Sequence, residues 1–359
     1  MLDDITINNV MYIYEKEISK HIKNKRKLYD FEINKIQYVT DIVIMLKNGI
    51  VGHNKYNIFL ISEPKKRLVM SLPVKDKVIN HFVTRYILEA RLNKYLDDRN
   101  IATRKNMGTD YGVRLVKKYI NILKNKYNNF YILKIDISKY FYNIDHDVLK
   151  ELLVDKLDNF DYQVICKIID STNQKYINDS ISKIIDNYKV DIPLYNTNKG
   201  LPIGNMTSQF LSIFYLYKLD HYIVHDLKLK YYVRYMDDFV IMDSDLNKLK
   251  NAKKEIEEIL NREYKLKINN KKTMITNINN GFSFLGYSYK VINNKTIIKI
   301  KKSNYEKIKK RIKEVRNNFD DYKASHYQVF CTIMTYSNAY KFASNRKIIK
   351  LINKYWYEE

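Results

Sequence analysis

The stretch KYYVRYMDDFVIMD, residues 230–243, decides the fold. Two runs rich in β-branched and aromatic residues flank Met236-Asp237-Asp238, which predicts two strands joined at an acidic turn. Adjacent acids at a tight turn raise one another's pKa unless something positive lies between them. Taken alone, the pair has two readings: a plain turn, because Asp tolerates turn geometry, or a cation site. A second acid, Asp136, closes the short apolar strand expected over FYILKIDI, 130–137. A carboxylate set against a buried apolar strand is costly unless it is hydrated or binds a cation. Convergence of Asp136 with Asp237 would build an oxygen-only site for two Mg2+ ions about 3.5–4 Å apart, suited to in-line displacement at phosphorus.

Around this centre, strand and helix signals alternate. NIFLISEPKKRLVMSLP, 57–73, reads as a hairpin with a basic tip at Glu63-Pro64-Lys65-Lys66. Helical patterns cover 9–28, 75–97 and 113–127, the last with Val113, Val116, Tyr119, Ile120 and Leu123 in phase. Asp147 is a candidate cap for the helix VLKELLVDKL. After Gly200 and Gly204 comes a long apolar helix, 205–226, with Asn205 or Thr207 as its cap. Leu246, Leu249, Ala252, Ile256 and Leu260 define one face of an amphipathic helix over 246–263. Residues 282–300 form a hairpin turning at Asn293-Asn294, and the last sixty residues look helical. Strands interleaved with helices, hairpins included, predict an α+β fold with a mainly antiparallel sheet.

The chain has 359 residues, and 64 Lys+Arg against 40 Asp+Glu give a net charge of +24. Its 45% hydrophobic content can bury a core and excludes wholesale disorder. Two cysteines, Cys166 and Cys331, exclude a disulfide framework and a cysteine-rich zinc site. Arg supplies only twelve of the basic residues, a bias that an AT-rich genome also produces. The surplus charge still favours a polyanion, nucleic acid ahead of membrane. No apolar run approaches a membrane span, and the acidic start MLDDITINN lacks a signal pattern, so the expected compartment is the cytoplasm. Nine Lys/Arg stand within 299–316 beside Glu306 and Glu314, and Lys301, Lys302, Lys309, Lys310 and Arg311 are the expected grip on a nucleic-acid backbone.

The ordered motifs resemble the reverse transcriptase family from about residue 55 to 340. Its Tyr-x-Asp-Asp signature stands as Tyr235-Met236-Asp237-Asp238. Its first palm motif stands as Asp136-Ile137-Ser138-Lys139-Tyr140-Phe141, followed by Asn143-Ile144-Asp145-His146, which is similar to the prokaryotic branch. Its fingers motif resembles Arg67-Leu68-Val69-Met70-Ser71-Leu72-Pro73. Asn270-Lys271-Lys272-Thr273 and Phe284-Leu285-Gly286-Tyr287 match the later motifs. The resemblance implies a right-hand polymerase: N-terminal helices and fingers over 1–128, an antiparallel-sheet palm over 129–298 and a helical thumb over 299–359. It implies a DNA 3′ end extended with dNTPs on template RNA, using two Mg2+ ions, with Mn2+ as a substitute. It also implies roles: Asp136, Asp237, Asp238 and the Ile137 carbonyl as metal ligands, Phe141 as the gate against ribonucleotides, and Arg67 and Lys272 at the nucleotide phosphates.

The stretch Gly200-Leu201-Pro202-Ile203-Gly204-Asn205-Met206-Thr207-Ser208-Gln209 departs from the Gln-Gly-x-x-x-Ser-Pro of most prokaryotic relatives. Ile203, Gly204 and Gln209 are expected at the nascent pair. The departure resembles the reverse transcriptases of diversity-generating retroelements, which copy template RNA with errors at adenines. That implies a cDNA primer or product and a small basic accessory protein as partners. The alternatives are an antiviral or abortive-infection defence reverse transcriptase and, in another class, a non-catalytic RNA-binding scaffold. Without a maturase, endonuclease or RNase H stretch after the basic helical residues, a complete group II intron protein is not the expected reading.

Overall fold

The computed structural model describes residues 2–51, 55–62, 66–320, 325–343, 349–350 and 352–354. The chain divides into two compact units, each assembled from separated segments. The first comprises residues 1–103, 136–228 and 254–269, and the second 104–135, 229–253 and 270–359.

In the first unit the expected hairpin is present. Strands β1 (Asn57–Ile61) and β2 (Arg67–Ser71) pair antiparallel, with Phe59 opposite Val69. Glu63, Pro64 and Lys65 of the expected tip lie outside the described residues. Leu68 and Met70 alternate inward on β2 and, with Tyr56 and Leu72, bury against Ile177 and Ile181 of the helix Lys175–Tyr188. The period of two on the strand meets a step of four on the helix, so both present one apolar face.

Three sequence readings need correction in this unit. The single helix expected over 9–28 is broken: the N-terminal helix ends with Ser19–His21, and a new one spans Lys25–Ile33. Asn24 stands extended between them and its side chain accepts the Lys27 N–H, which starts the second helix. Asp145, not Asp147, caps the helix His146–Leu153, because Asp145 is extended and its carboxylate accepts the Val148 N–H at 3.3 Å. The helix expected over 205–226 reaches its expected end but is not continuous: it runs Met206–Tyr215, breaks at Leu216, resumes at Tyr217–His221 and closes with a π-helical turn over Tyr222–Asp226. Buried Asn100 donates to the Ile213 carbonyl at 3.1 Å, which diverts an acceptor from the helical ladder just before the break.

The second unit holds a four-stranded sheet in the order β4-β5-β3-β6. Its strands are β3 (Tyr131–Asp136), β4 (Tyr232–Tyr235), β5 (Asp238–Asp243) and β6 (Met274–Asn277). Strand β4 pairs antiparallel with β5, and β3 pairs antiparallel with β6. A separate meander joins β7 (Phe282–Phe284), β8 (Tyr287–Ile292) and β9 (Lys295–Ile300). The β8–β9 turn falls at Asn293-Asn294, both left-handed at φ 49° and 57°, as a two-residue hairpin of this class requires. In the helix Lys302–Asp320, Ile308, Ile312 and Val315 face inward, while Lys302, Lys310 and Arg311, and Lys301 just before the helix, are exposed.

The loop ahead of the helix Met206–Tyr215 is pinned on every side within the first unit. The Gly200 N–H donates to the Ile144 carbonyl at 2.7 Å, and the Leu201 N–H to the Phe141 carbonyl at 2.8 Å. The Gly200 carbonyl accepts from His146 Nε2 at 2.8 Å and Thr172 Oγ1 at 3.0 Å. Gly200 sits at φ +87°, and a Cβ there would lie 2.5 Å from the Tyr195 ring. Gly200→Ala should therefore lower unfolding free energy by about 2 kcal/mol or more, from steric overlap added to a left-handed backbone. A denaturant melt checks this, and an unchanged midpoint would mean that the loop has room to move.

Candidate active site

The acidic hairpin is built as the sequence implies. Tyr235 pairs with Asp238 across a two-residue turn of Met236 and Asp237. Val233, Phe239, Val240 and Ile241 are buried, so the apolar strands anchor the turn and leave Asp237 and Asp238 half-exposed. Met236 is at φ +56°. Glycine is the usual residue at such a turn position, and a bulky side chain there stores about 1–3 kcal/mol of strain. Arg234, fully buried, donates through Nη1 to the Met236 carbonyl at 3.0 Å.

Lys134 on β3 reaches the same hairpin. Its ammonium lies 3.2 Å from Asp238 Oδ2 and donates to the Ser283 carbonyl at 2.8 Å. A fixed cation beside one of two adjacent carboxylates offsets their mutual repulsion.

Asp136 ends β3 and is 8% exposed. Beyond it the chain is held by residues 267–269: Asn269 N–H donates to the Asp136 carbonyl at 2.7 Å, Ile137 bridges Ile268, and Ser138 N–H donates to the Lys267 carbonyl at 2.9 Å. Among the described residues, no three His, Cys, Asp or Glu side chains are grouped closely enough to hold a metal ion. The fit to a hard divalent cation rests instead on chemistry: carboxylate oxygens of the preferred type, one of which already draws an ammonium.

The first unit gathers a second set of the expected residues. Phe141 is half-buried in the short helix Tyr140–Asn143, whose Tyr140 hydroxyl donates to the Ser212 carbonyl. The loop bound to the Phe141 carbonyl continues to Ile203, whose own carbonyl accepts the Met70 N–H of β2 at 2.9 Å. Gly204 lies at φ +115°, and a Cβ there would meet Val69 Cγ1 at 3.0 Å. The glycine is thus demanded by close approach to β2. Arg67 opens the same strand and is exposed. Gln209 is half-buried in the first turn of the helix Met206–Tyr215. In the second unit, Lys272 lies exposed in the turn before β6, and Arg311 pairs with Glu314 at 3.1 Å.

Neither expected cap of the helix Met206–Tyr215 acts as one. Asn205 holds the cap position but turns its amide toward the Tyr56 hydroxyl at 3.4 Å. The Thr207 N–H is taken by Asn80 Oδ1 at 3.1 Å, and Asn80 Nδ2 donates back to Thr207 Oγ1 at 2.9 Å. Asn80 comes from a helix distant in sequence, which local pattern does not reveal.

The chain matches the family described as reverse transcriptase (RNA-dependent DNA polymerase) over residues 53–289. It belongs to the reverse transcriptase family. Its fold is the α+β right-hand polymerase fold of that family, with the acidic hairpin in an antiparallel sheet. Among solved structures, apo telomerase from Candida tropicalis is 16% identical, with 83% of this chain and 61% of that chain covered at a TM-score of 0.48. Telomerase from Candida albicans with a fragment of telomeric RNA is 14% identical, covering 83% and 58% at 0.48. This chain spans less than two thirds of either. No curated protein matches. Among the described residues, no helix is long and apolar enough to cross a membrane.

His146 is the family-motif residue whose role the sequence hid. It is fully buried, holds the Gly200 carbonyl, and its Nδ1 lies 3.4 Å from Asp170, which also pairs with Lys150. Burial lowers its pKa below 6.5. The unfolded chain thus binds the proton first, so the stability it contributes is present above pH 6.5 and is lost as pH falls below it. His146→Gln keeps a donor to Gly200 but cannot titrate. Its melting temperature should fall less than the parent's between pH 7.5 and 5.5, on the order of one proton of linkage. Equal slopes would place the imidazole outside this coupling.

Proposed function

We propose that this reverse transcriptase family member is an active RNA-directed DNA polymerase, extending a DNA 3′ end with dNTPs on template RNA. The observation that carries the reading is the Tyr235-Met236-Asp237-Asp238 turn, held at the end of a buried strand pair inside a family-matched chain. Asp136, Asp237, Asp238 and the Ile137 carbonyl would hold two Mg2+ ions. When bound, the ions supply Lewis-acid activation of the attacking hydroxyl and stabilise the pyrophosphate leaving group. Phe141 stacks beneath the incoming sugar and excludes a 2′-hydroxyl by contact. Arg67 and Lys272 bind the triphosphate, Arg67 in the bidentate manner open to a guanidinium. Lys301, Lys302, Lys309, Lys310 and Arg311 bind the template–primer backbone. On this reading, residues 1–128 supply N-terminal helices and fingers, 129–298 the palm and 299–359 the thumb.

Within the class we favour error-prone retroelement copying. The support is Ile203 beside Gly204, where relatives reading Gln-Gly carry a hydrogen-bonding side chain. An apolar residue there holds the template base or nucleotide less firmly. One lost hydrogen bond of about 1 kcal/mol changes selectivity roughly fivefold, a contribution to infidelity and not its whole cause.

Two measurements test these readings. Asp237→Asn should abolish primer extension while leaving RNA affinity within about twofold, since only the cation site is removed. Normal extension by that variant would overturn the catalytic assignment of Asp237, and no extension by the parent chain would leave the RNA-binding scaffold as the surviving function. Sequencing of cDNA made from a defined RNA should show misincorporation concentrated opposite adenine, and Ile203→Gln should partly suppress it. A low, even error spectrum would put a defence enzyme ahead of the retroelement reading.

A further inference from the structure

Arg234 is among the largest fully buried side chains of the described residues. A guanidinium cannot shed its charge in a protein, so enclosing one commits the fold to satisfying it. Part of that satisfaction is a main-chain oxygen two residues onward: Nη1 donates to the Met236 carbonyl. The ladder between β4 and β5 closes at Tyr235 and Asp238, which leaves the Met236 carbonyl beyond the paired register. Met236 is also the left-handed residue of the turn. The buried guanidinium therefore grips the backbone at the point where its conformation is least favourable. From the neighbouring strand, Lys134 fixes the other side of the turn through Asp238.

We propose that Arg234 is a positioning residue that holds the left-handed Met236 turn, and so sets the aim of the Asp237 and Asp238 carboxylates toward a divalent cation. This rests on the polymerase reading above. Strand pairing fixes where the turn begins and ends but not the orientation of its two central peptides. A carbonyl anchored to a rigid, buried fork holds Met236 left-handed against the backbone strain that would otherwise relax that orientation. Small errors in aim matter, because a displacement of about 1 Å at a reacting centre can cost roughly a hundredfold in rate.

The test uses the full chain and Mn2+ alone, with binding followed by electron paramagnetic resonance in the absence of nucleic acid. Arg234→Lys keeps the charge and loses the fork, and Arg234→Met replaces the group by an apolar one of similar length. Each should weaken Mn2+ binding at least about fivefold. Each should also lower kcat for primer extension by about tenfold, with KM for dNTP within about twofold. Met236→Gly adopts the turn without strain, so in either Arg234 background it should return Mn2+ affinity to within about twofold of the parent.

Parental Mn2+ affinity in both single variants would overturn the proposal. So would a loss that Met236→Gly leaves unrepaired, or loss of cooperative melting in both variants even with Met236→Gly present. Each of these makes Arg234 a core-filling residue only. Failure of the polymerase reading shows separately, as a parent chain that extends no primer whatever the Arg234 variants do to Mn2+ affinity.

Discussion

Two adjacent carboxylates at the end of a buried strand pair repel one another, and the apolar strands that anchor them offer no compensation. Much of the second unit can be understood as a response to that placement. Lys134 brings an ammonium to Asp238 from the adjacent strand and is itself tied to Ser283 on β7. Arg234 brings a guanidinium to the turn backbone from within the hairpin. Both cations act inside the sheet, where water screens them least. The pair of acids is thus presented outward from a frame whose charge is fixed.

The first unit meets a different demand, that of holding an irregular loop without regular strand pairing. Backbone groups of residues 200–203 are distributed among Ile144, Phe141, Met70, His146 and Thr172. The loop consequently links β2, which opens with Arg67, to the helix that carries Phe141. These hydrogen bonds engage the main-chain carbonyls of Ile203 and Phe141 and not their side chains.

The sequence made local order legible where periodicity is strong. The alternation around Met236-Asp237-Asp238 gave the hairpin, Asn293-Asn294 gave a turn with both residues left-handed, and the heptad-like face of 246–263 gave the helix Leu246–Arg262. It misled where a local break or a remote residue decides. A single Asn24 splits the first helix, and Asn100 interrupts the ladder near Leu216. In the site, the acids were legible because their spacing is local. The burial of Arg234 and the grip of His146 on Gly200 were not, since an arginine in a strand reads as exposed and a histidine in a helix start reads as solvated.

The amide-to-hydroxyl exchange between Asn80 and Thr207 joins residues separated by 127 positions. A helix normally secures its first turn from its own leading residues, and this one depends on a partner made far earlier. During vectorial synthesis Asn80 emerges with a polar side chain whose buried role has no counterpart until much more of the chain exists. The first unit accordingly carries a high contact order at its centre, and loop closure must precede the reward of that pair. The pair therefore cannot close until the ribosome has delivered residues well past the hairpin β1–β2.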